Sequence, residues 1–183
     1  MILQGAVVEG TYVIDIEPRR DERGFFARAF DSEIFSAHGM EGAVAQCNLS
    51  HSDRRGTLRG MHWQAAPHAE ARLVRCVRGS IYDVIVDVRP GSPTYLRWSG
   101  VELSAANARA VYAPPGTAHG FLTLEDDTDV LYQVSVPYAP ESERGMRWDD
   151  PLVGVAWPFV PTIITDKDRS WADLVKEAQW TQC

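Results

Sequence analysis

Hydrophobic and polar residues alternate in short runs along most of this chain, and helical periodicity is scarce. Alternation with a period of two is typical of half-buried β-strands. The pattern predicts strands over residues 57–64, 72–78, 80–88, 95–103, 109–113, 119–124 and 129–136. Turn-forming sequences such as RPGSPT, PPG and EDDT stand between these runs. Many short strands at this spacing favour an all-β sandwich or barrel.

Two short segments have the periodicity of a helix. Residues 31–38 and 170–179 are predicted as peripheral helices, the second with Ser170 as its N-cap and four apolar residues on one face. The sequence contains no repeat, linker or low-complexity segment. A chain of 183 residues is long enough to bury a core of its own, and we expect one domain over residues 1–183.

The strand predicted over residues 80–88 has one unusual face. Tyr82 and three valines share one side, whereas Ile81, Asp83, Ile85 and Asp87 share the other. Two carboxylates that alternate with isoleucines do not form an ordinary outer face. This face is therefore predicted either to be solvated or to line a polar cavity.

Composition narrows the classes of function. The net charge of −7 argues against nonspecific binding to nucleic acid. No apolar run approaches the length of a membrane span, and the first residues do not have the pattern of a signal peptide. Three scattered cysteines do not form a disulfide framework, so we expect a reducing cytoplasm as the compartment.

His62 is the leading candidate for a catalytic base. It lies in the strand sequence LRGMHWQ, close to Arg59 and Gln64. Strict alternation places Arg59 and His62 on opposite faces, so a site that uses both requires a bulge, which Gly60 would mark. A lone histidine on a strand is otherwise more often structural.

A second histidine ends a turn with the spacing P-x-G-x-x-H, from Pro114 to His119. This spacing resembles the second half-motif of the cupin barrels, although a capped strand end would also explain it. The first cupin half-motif supplies H-x-H, whereas the equivalent strand here reads His62-Trp63-Gln64. A stable metal site needs about three protein ligands, so we expect a cupin barrel without a metal.

Without a metal, the candidate chemistry is acid–base. His62 is suited to remove a proton near neutral pH, and Arg72 to stabilise an oxyanion. Tyr132 is a candidate proton donor, and Asp168 a carboxylate that orients a histidine. This set fits proton abstraction beside a carbonyl. Each of these residues also has a structural alternative. Arg72 is alternatively a surface cation, Tyr132 a buried strand tyrosine and Asp168 a residue at a helix N-terminus.

Nine short segments, taken in their order and spacing, resemble dTDP-4-dehydrorhamnose 3,5-epimerases from about Val13 to Asp168. The matching segments are residues 21–26 (DERGFF), 46–50 (QCNLS), 58–64 (LRGMHWQ), 73–79 (LVRCVRG), 83–89 (DVIVDVR), 92–94 (SPT), 115–121 (PGTAHGF), 148–151 (WDDP) and 167–168 (KD). The resemblance implies a cupin-type jelly-roll β-barrel with a few short peripheral helices, a homodimer and no cofactor. It also implies a nucleoside-diphosphate 4-keto-6-deoxyhexose as substrate.

The resemblance also implies roles for single residues. His62 matches the base, Asp168 its paired carboxylate, Tyr132 the tyrosine that returns a proton on the opposite ring face, and Arg72 the catalytic cation. Further positions match residues that bind the sugar, the diphosphate or the nucleotide. They are Arg23, Phe26, Gln46, Asn48, Arg59, His119, Tyr138, Glu143 and Lys167.

Two departures from the family pattern leave alternatives open. The family usually has lysine where this chain has Arg72, and glutamate where it has Arg28. The alternatives are an epimerase of the same family that acts at C3 alone or on a CDP sugar, a metal-dependent cupin oxygenase, and a noncatalytic protein that binds sugar nucleotides. The missing H-x-H argues against the oxygenase, and the set of His62, Asp168 and Tyr132 argues against the binding protein.

Overall fold

The computed structural model describes residues 1–174, which form two large antiparallel β-sheets, a separate two-stranded hairpin and two short helices. In chain order the strands are β1 Ile2–Gly5, β2 Tyr12–Asp15, β3 Arg19–Asp21, β4 Gly24–Phe26, β5 Gln46–Ser52, β6 Leu58–Gln64, β7 Arg72–Arg78, β8 Ser80–Asp87, β9 Trp98–Ser104, β10 Ala110–Ala113, β11 Thr117–Thr123, β12 Thr128–Val134 and β13 Glu143–Gly145. The helices are α1 Ser32–Ala37 and α2 Asp166–Arg169, and a 3-10 turn spans Pro140–Ser142.

The two large sheets face each other as in a jelly roll. The first sheet has the strand order β1-β2-β10-β7-β12-β5, and the second has the order β13-β6-β11-β8-β9. Strands β3 and β4 form a separate hairpin. Side chains from both sheets, including Val74 and Val111 of the first and Ile85 and Phe121 of the second, form the core between them. The predicted all-β jelly-roll barrel with short helices is therefore confirmed.

Strand β8 is covered on both faces. Ile81 and Ile85 lie in the core between the sheets, and Asp83 and Asp87 of the same face are completely buried. Neither alternative for this face holds, because the face is not solvated and none of these four residues lines the cavity between the sheets. The valines of the opposite face pack beneath the segment that contains Val153, Val155 and Trp157, which is why nearly every residue of the strand is buried.

All seven strands predicted from alternation are present, with shifted ends. Strand β9 begins at Trp98 rather than residue 95, because Leu96 has a φ of 62° and cannot continue a strand. Strands β1 to β5 and β13 were not predicted. Several of them are only three or four residues long, and β5, QCNLSHS, carries few apolar residues because it lies at the edge of its sheet.

The first predicted helix is confirmed as α1. Its N-cap is Asp31, whose carboxylate accepts hydrogen bonds from the N–H groups of Glu33 and Ile34. The prediction for residues 170–179 is wrong at its start, because Ser170 is the C-cap of α2 and residues 171–174 are not helical. The rest of that segment lies outside the described residues. Neither described helix is long enough to cross a membrane.

The segment before α2 is tied to the start of β6. The backbone N–H groups of Thr162 and Ile163 donate to the carbonyl of Gly56, and the N–H of Leu58 donates to Ile163. Gly56 has a φ of 82°, and a side chain there would lie 2.5 Å from the Thr162 hydroxyl. This contact fixes the path of the segment, so α2 follows beside the strand that carries His62.

Candidate active site

A cavity of about 860 Å³ opens between the two sheets. This volume lies within the range of small-molecule sites, roughly 300–1,000 Å³. Its walls come from strands β5, β6, β7, β11, β12 and β13 and from α2 with its N-cap. The cavity collects eleven of the side chains singled out from the sequence: Gln46, Asn48, Arg59, His62, Arg72, His119, Tyr132, Tyr138, Glu143, Lys167 and Asp168.

A bulge in β6 brings Arg59 and His62 to the same cavity. His62 is paired with His119 of β11, and Arg59 is paired with Phe121, so β6 has one more residue than its partner over this stretch. Gly60 lies in the bulge with a φ of 114°. A side chain at Gly60 would lie 2.7 Å from the carbonyl oxygen of His119. The predicted bulge is therefore confirmed, and its close strand contact requires glycine.

His62 and Asp168 form a hydrogen-bonded dyad. The Nε2 atom of His62 lies 2.6 Å from Oδ1 of Asp168, and Oδ2 accepts the backbone N–H of Gly60 at 3.2 Å. Burial alone would raise the pKa of Asp168, but the hydrogen bond and charge of His62 and the N–H of Gly60 lower it below its usual value. With an ionised carboxylate holding Nε2–H, Nδ1 is the ring nitrogen that keeps a basic lone pair.

His119 is held by a second buried carboxylate. Its Nε2 atom lies 2.8 Å from Oδ2 of Asp83, and Asp83 has no exposed surface. Burial raises the pKa of Asp83, although the charges of His119 and Arg72 oppose the rise. The polar face of β8 therefore backs the cavity through His119, and sequence reasoning did not assign this task to Asp83.

Arg72 is tied to a carboxylate that sequence reasoning missed. Its Nε atom donates to Oε1 of Glu70 at 2.9 Å, and its NH2 group donates to the same oxygen. Its NH1 group donates to the backbone carbonyl of His62 at 3.0 Å. Glu70 is 8% exposed and lines the cavity. Arg72 is therefore not a surface cation. The only sequence signal for its partner was that Glu70 lies two residues before it.

Tyr132 lies on the wall opposite His62. It belongs to β12 of the first sheet, whereas His62 belongs to β6 of the second. The tyrosine packs partly against the core and is paired across the strands with Asn48 and Val74. The pairing of strands far apart in the sequence therefore brings the candidate proton donor and the candidate base to the same cavity from two sides.

One end of the cavity is lined by a charged network. Glu143 accepts hydrogen bonds from Tyr138 at 3.0 Å and from Lys167 at 2.6 Å. Burial alone would raise the pKa of Glu143, but these two hydrogen bonds lower it below its usual value. Gln46 joins the network by accepting the backbone N–H of Tyr138 at 3.0 Å.

The wall near Arg59 contains a histidine that was not predicted. Arg59 donates to the hydroxyl of Ser52 and to the backbone carbonyl of His51. The ring of His51 lies between the carboxylates of Asp129, at 2.6 Å, and Asp53, at 3.1 Å. The hydrogen bond to Asp129 and the nearby negative charges raise the pKa of His51.

Arg23 and Phe26 are not among the residues that line the cavity. Both belong to the hairpin of β3 and β4, where Phe26 is 70% exposed and the Arg23 side chain is bound to Asp21. The described residues of a single chain therefore do not bring them to the other candidates. Their assignment to substrate binding stays a prediction.

Within residues 1–174, the structure places no group of three or more His, Cys, Asp and Glu side chains where they could hold a metal ion. His62 and His119 are instead each bonded through Nε2 to a buried aspartate. The expectation of activity without metal or cofactor stays a prediction, to be tested with a chelator.

A jelly-roll cavity with a histidine–carboxylate dyad on one wall and a tyrosine on the other defines an isomerase that moves protons beside a carbonyl. Residues 6–176 match the family model of dTDP-4-dehydrorhamnose 3,5-epimerase. The chain belongs to this family of cupin-type epimerases. A curated dTDP-4-dehydrorhamnose 3,5-epimerase from Sinorhizobium fredii is 44% identical over 162 residues, or 87% of this chain and 83% of that protein.

Solved structures agree with the family assignment. The structure of dTDP-4-dehydrorhamnose 3,5-epimerase from Elizabethkingia anophelis has a TM-score of 0.91 and 34% identity, and the match covers 94% of this chain and 96% of that one. A 3,5-epimerase from Legionella pneumophila in complex with dTDP-4-keto-L-rhamnose has a TM-score of 0.86 and 34% identity over 93% and 90% of the two chains.

A relative named for a narrower activity also matches. It is a dTDP-4-dehydrorhamnose 3-epimerase from Streptomyces niveus, 38% identical over 180 residues, which cover 98% of this chain and 86% of that protein.

Proposed function

We propose that this protein inverts both C3 and C5 of dTDP-4-dehydro-6-deoxyglucose, with no cofactor, in the synthesis of a deoxysugar. The single observation that carries the proposal is the His62–Asp168 dyad, which faces Tyr132 across the cavity. Epimerisation requires a base on one face of the sugar ring and an acid on the other. The two sheets supply these two groups from opposite walls.

The chemistry at each carbon follows from this arrangement. His62 takes the proton from the carbon next to the C4 ketone, and the electrons of the C–H bond form an enolate whose charge lies on the C4 oxygen. The Asp168 carboxylate stabilises the imidazolium that results, and Arg72 stabilises the oxyanion. Tyr132 then gives its proton to the opposite face of the carbon. Solvent returns a proton to the phenolate and takes one from the His62 imidazolium, so both groups are ready for the second carbon.

The remaining cavity residues are proposed to bind the rest of the substrate. Lys167 and Arg59 carry positive charge toward the cavity and suit the diphosphate. Tyr138 and Glu143 suit the nucleoside, because their side chains form the hydrogen-bonded network at one end of the cavity. The amides of Gln46 and Asn48 and the ring of His119 suit the hydroxyl groups of the sugar.

Arg23 and Phe26 fit the proposal if the protein is a homodimer. Their hairpin is exposed and carries three arginines, Arg19, Arg20 and Arg23. In a dimer a second copy would bring this hairpin to the cavity, where its positive charge would meet the diphosphate. We also infer a cytoplasmic location, because Cys47 and Cys76 are free thiols and a reducing compartment keeps them so.

The test uses purified protein, dTDP-4-dehydro-6-deoxyglucose and proton NMR, whose ring couplings report the configuration at each carbon. The proposal predicts a product that is inverted at C3 and C5. Inversion at C3 alone would instead support the 3-epimerase activity for which the Streptomyces niveus relative is named. Absence of any inversion, together with tight binding of the substrate, would support a noncatalytic protein. A parallel reaction with the CDP sugar tests the choice of nucleotide.

A further inference from the structure

Arg72 occupies the position where its family usually has lysine, and Glu70 holds it. Three of its five N–H donors are engaged: Nε and NH2 with Glu70 Oε1, and NH1 with the carbonyl of His62. Two donors, one on each terminal nitrogen, remain for a ligand. The Arg72 side chain is 15% exposed and borders the cavity, so the substrate site lies beside it.

The carboxylate of Glu70 is itself fixed. Its Oε2 atom accepts a hydrogen bond from Nε2 of Gln64 at 2.7 Å. The carbonyls of His68 and Pro137 lie within hydrogen-bond distance of the same Nε2 atom, and Oε1 of Gln64 accepts the backbone N–H of Ala139 at 2.6 Å. Gln64 is 2% exposed. Backbone groups therefore hold Gln64, Gln64 holds Glu70, and Glu70 holds the guanidinium of Arg72.

We propose that Glu70 is a positioning residue that acts through Arg72, by holding the guanidinium so that its two free donors point at the C4 oxygen. The inference rests on the proposed function. A lysine ammonium is compact and binds an oxyanion from many directions, whereas a guanidinium is planar and binds only along its fork. A chain with arginine at this position therefore needs a partner that orients the plane, and Glu70 with Gln64 supplies one.

The experiment is a double-mutant cycle between Glu70→Gln and Arg72→Lys, with kcat and KM measured for each of the four proteins. The Glu70→Gln amide has one acceptor and one donor, so either orientation sets a donor against Gln64 Nε2 or against the guanidinium. With Arg72 present, kcat should fall roughly 10- to 100-fold with little change in KM, because support for an active-site group is lost. In the Arg72→Lys background the same change should cost less than about 3-fold.

Asp15→Asn is the matched control. Asp15 also pairs with an arginine, Arg109, at 2.9 Å, but neither lines the cavity. The kcat of Asp15→Asn should stay at the wild-type value. If thermal unfolding shows that Glu70→Gln is not folded, Glu70→Asp replaces it. This variant keeps the negative charge but moves the carboxylate away from Arg72 by one methylene.

Each outcome decides the inference. Loss of kcat in the Arg72 background and near-normal kcat in the Arg72→Lys background supports it. Equal losses in both backgrounds, or a Glu70 variant with wild-type kcat, would overturn it and leave Glu70 as a counter-charge for a buried arginine. A wild-type protein without epimerase activity would instead overturn the proposed function itself, and this inference with it.

Discussion

Substitution of Asp87 by asparagine should cost the fold a predictable, pH-dependent part of its stability. Asp87 is completely buried and accepts five hydrogen bonds, three from Arg89 and one each from the hydroxyls of Ser92 and Thr94. Although burial opposes the change, these hydrogen bonds lower the pKa of Asp87 from 3.8 to about 2. The network ties the loop after β8 to the N-terminal segment through the carbonyl of Glu9.

The pKa shift gives both the size and the sign of the effect. A pKa lowered from 3.8 to about 2, at about 1.4 kcal/mol for each pH unit, corresponds to roughly 2–3 kcal/mol of stability. Because the pKa is lower in the folded state, this stability is present above pH 4 and is lost as the pH falls from about 4 through about 2. Asp87→Asn should therefore be less stable than wild type by at least about 2 kcal/mol at pH 7, and the gap should narrow in acid.

The assay is urea unfolding of wild type and Asp87→Asn at several pH values between 7 and 2.5. Asp15→Asn serves as control, because it removes the partner of the partly exposed Arg109 and should cost less than about 1 kcal/mol. A gap between wild type and Asp87→Asn that stays constant down to pH 2.5 would refute the reasoning. So would a loss at pH 7 no larger than that of the control.

The remaining predictions concern the dyad, the acid and the bulge. Asp168→Asn should lower kcat by roughly 10²–10⁴-fold, because the imidazolium loses its counter-charge; a steady-state assay with near-normal kcat would contradict it. Tyr132→Phe should still exchange the proton removed by His62 for deuterium but should not invert the carbon, and inversion at the wild-type rate by NMR would return Tyr132 to a packing role. Gly60→Ala should lower the free energy of unfolding by about 1–3 kcal/mol, because Gly60 has a φ of 114° and a side chain there would lie 2.7 Å from the backbone of Gly120. Unchanged urea unfolding would contradict this prediction.

Alternation along the chain predicted seven strands of the two large sheets, but it did not predict β1, β2, β5 or β13. It could not predict β5, whose residues lie at a sheet edge and line the cavity, since neither environment requires an apolar run. The bulge at Gly60 followed from a simple requirement, that Arg59 and His62 reach one site. The same residue-level reasoning did not reach Glu70, because its proposed role depends on contact between the loop that contains Glu70 and Gln64 at the end of β6.

Some segments that carried the family resemblance prove to be structural. Ser92 and Thr94 belong to the matching SPT segment, yet their hydroxyls bind Asp87 and do not line the cavity. Asp83, in another matching segment, supports His119. A sequence pattern reports that a residue is needed, but only the three-dimensional contacts distinguish a residue that meets the substrate from one that holds the loop or the ring behind it.

The most direct test of the central claim is the count of deuterium incorporated when the protein acts on dTDP-4-dehydro-6-deoxyglucose in heavy water. If His62 removes a proton from both carbons beside the ketone, mass spectrometry should find two deuterium atoms, and NMR should place one at C3 and one at C5. His62→Asn, which keeps the shape of the side chain but not its basicity, should slow both exchanges by roughly 10²–10⁴-fold. Near-normal exchange in His62→Asn, or no exchange at either carbon in the wild type, would contradict the account.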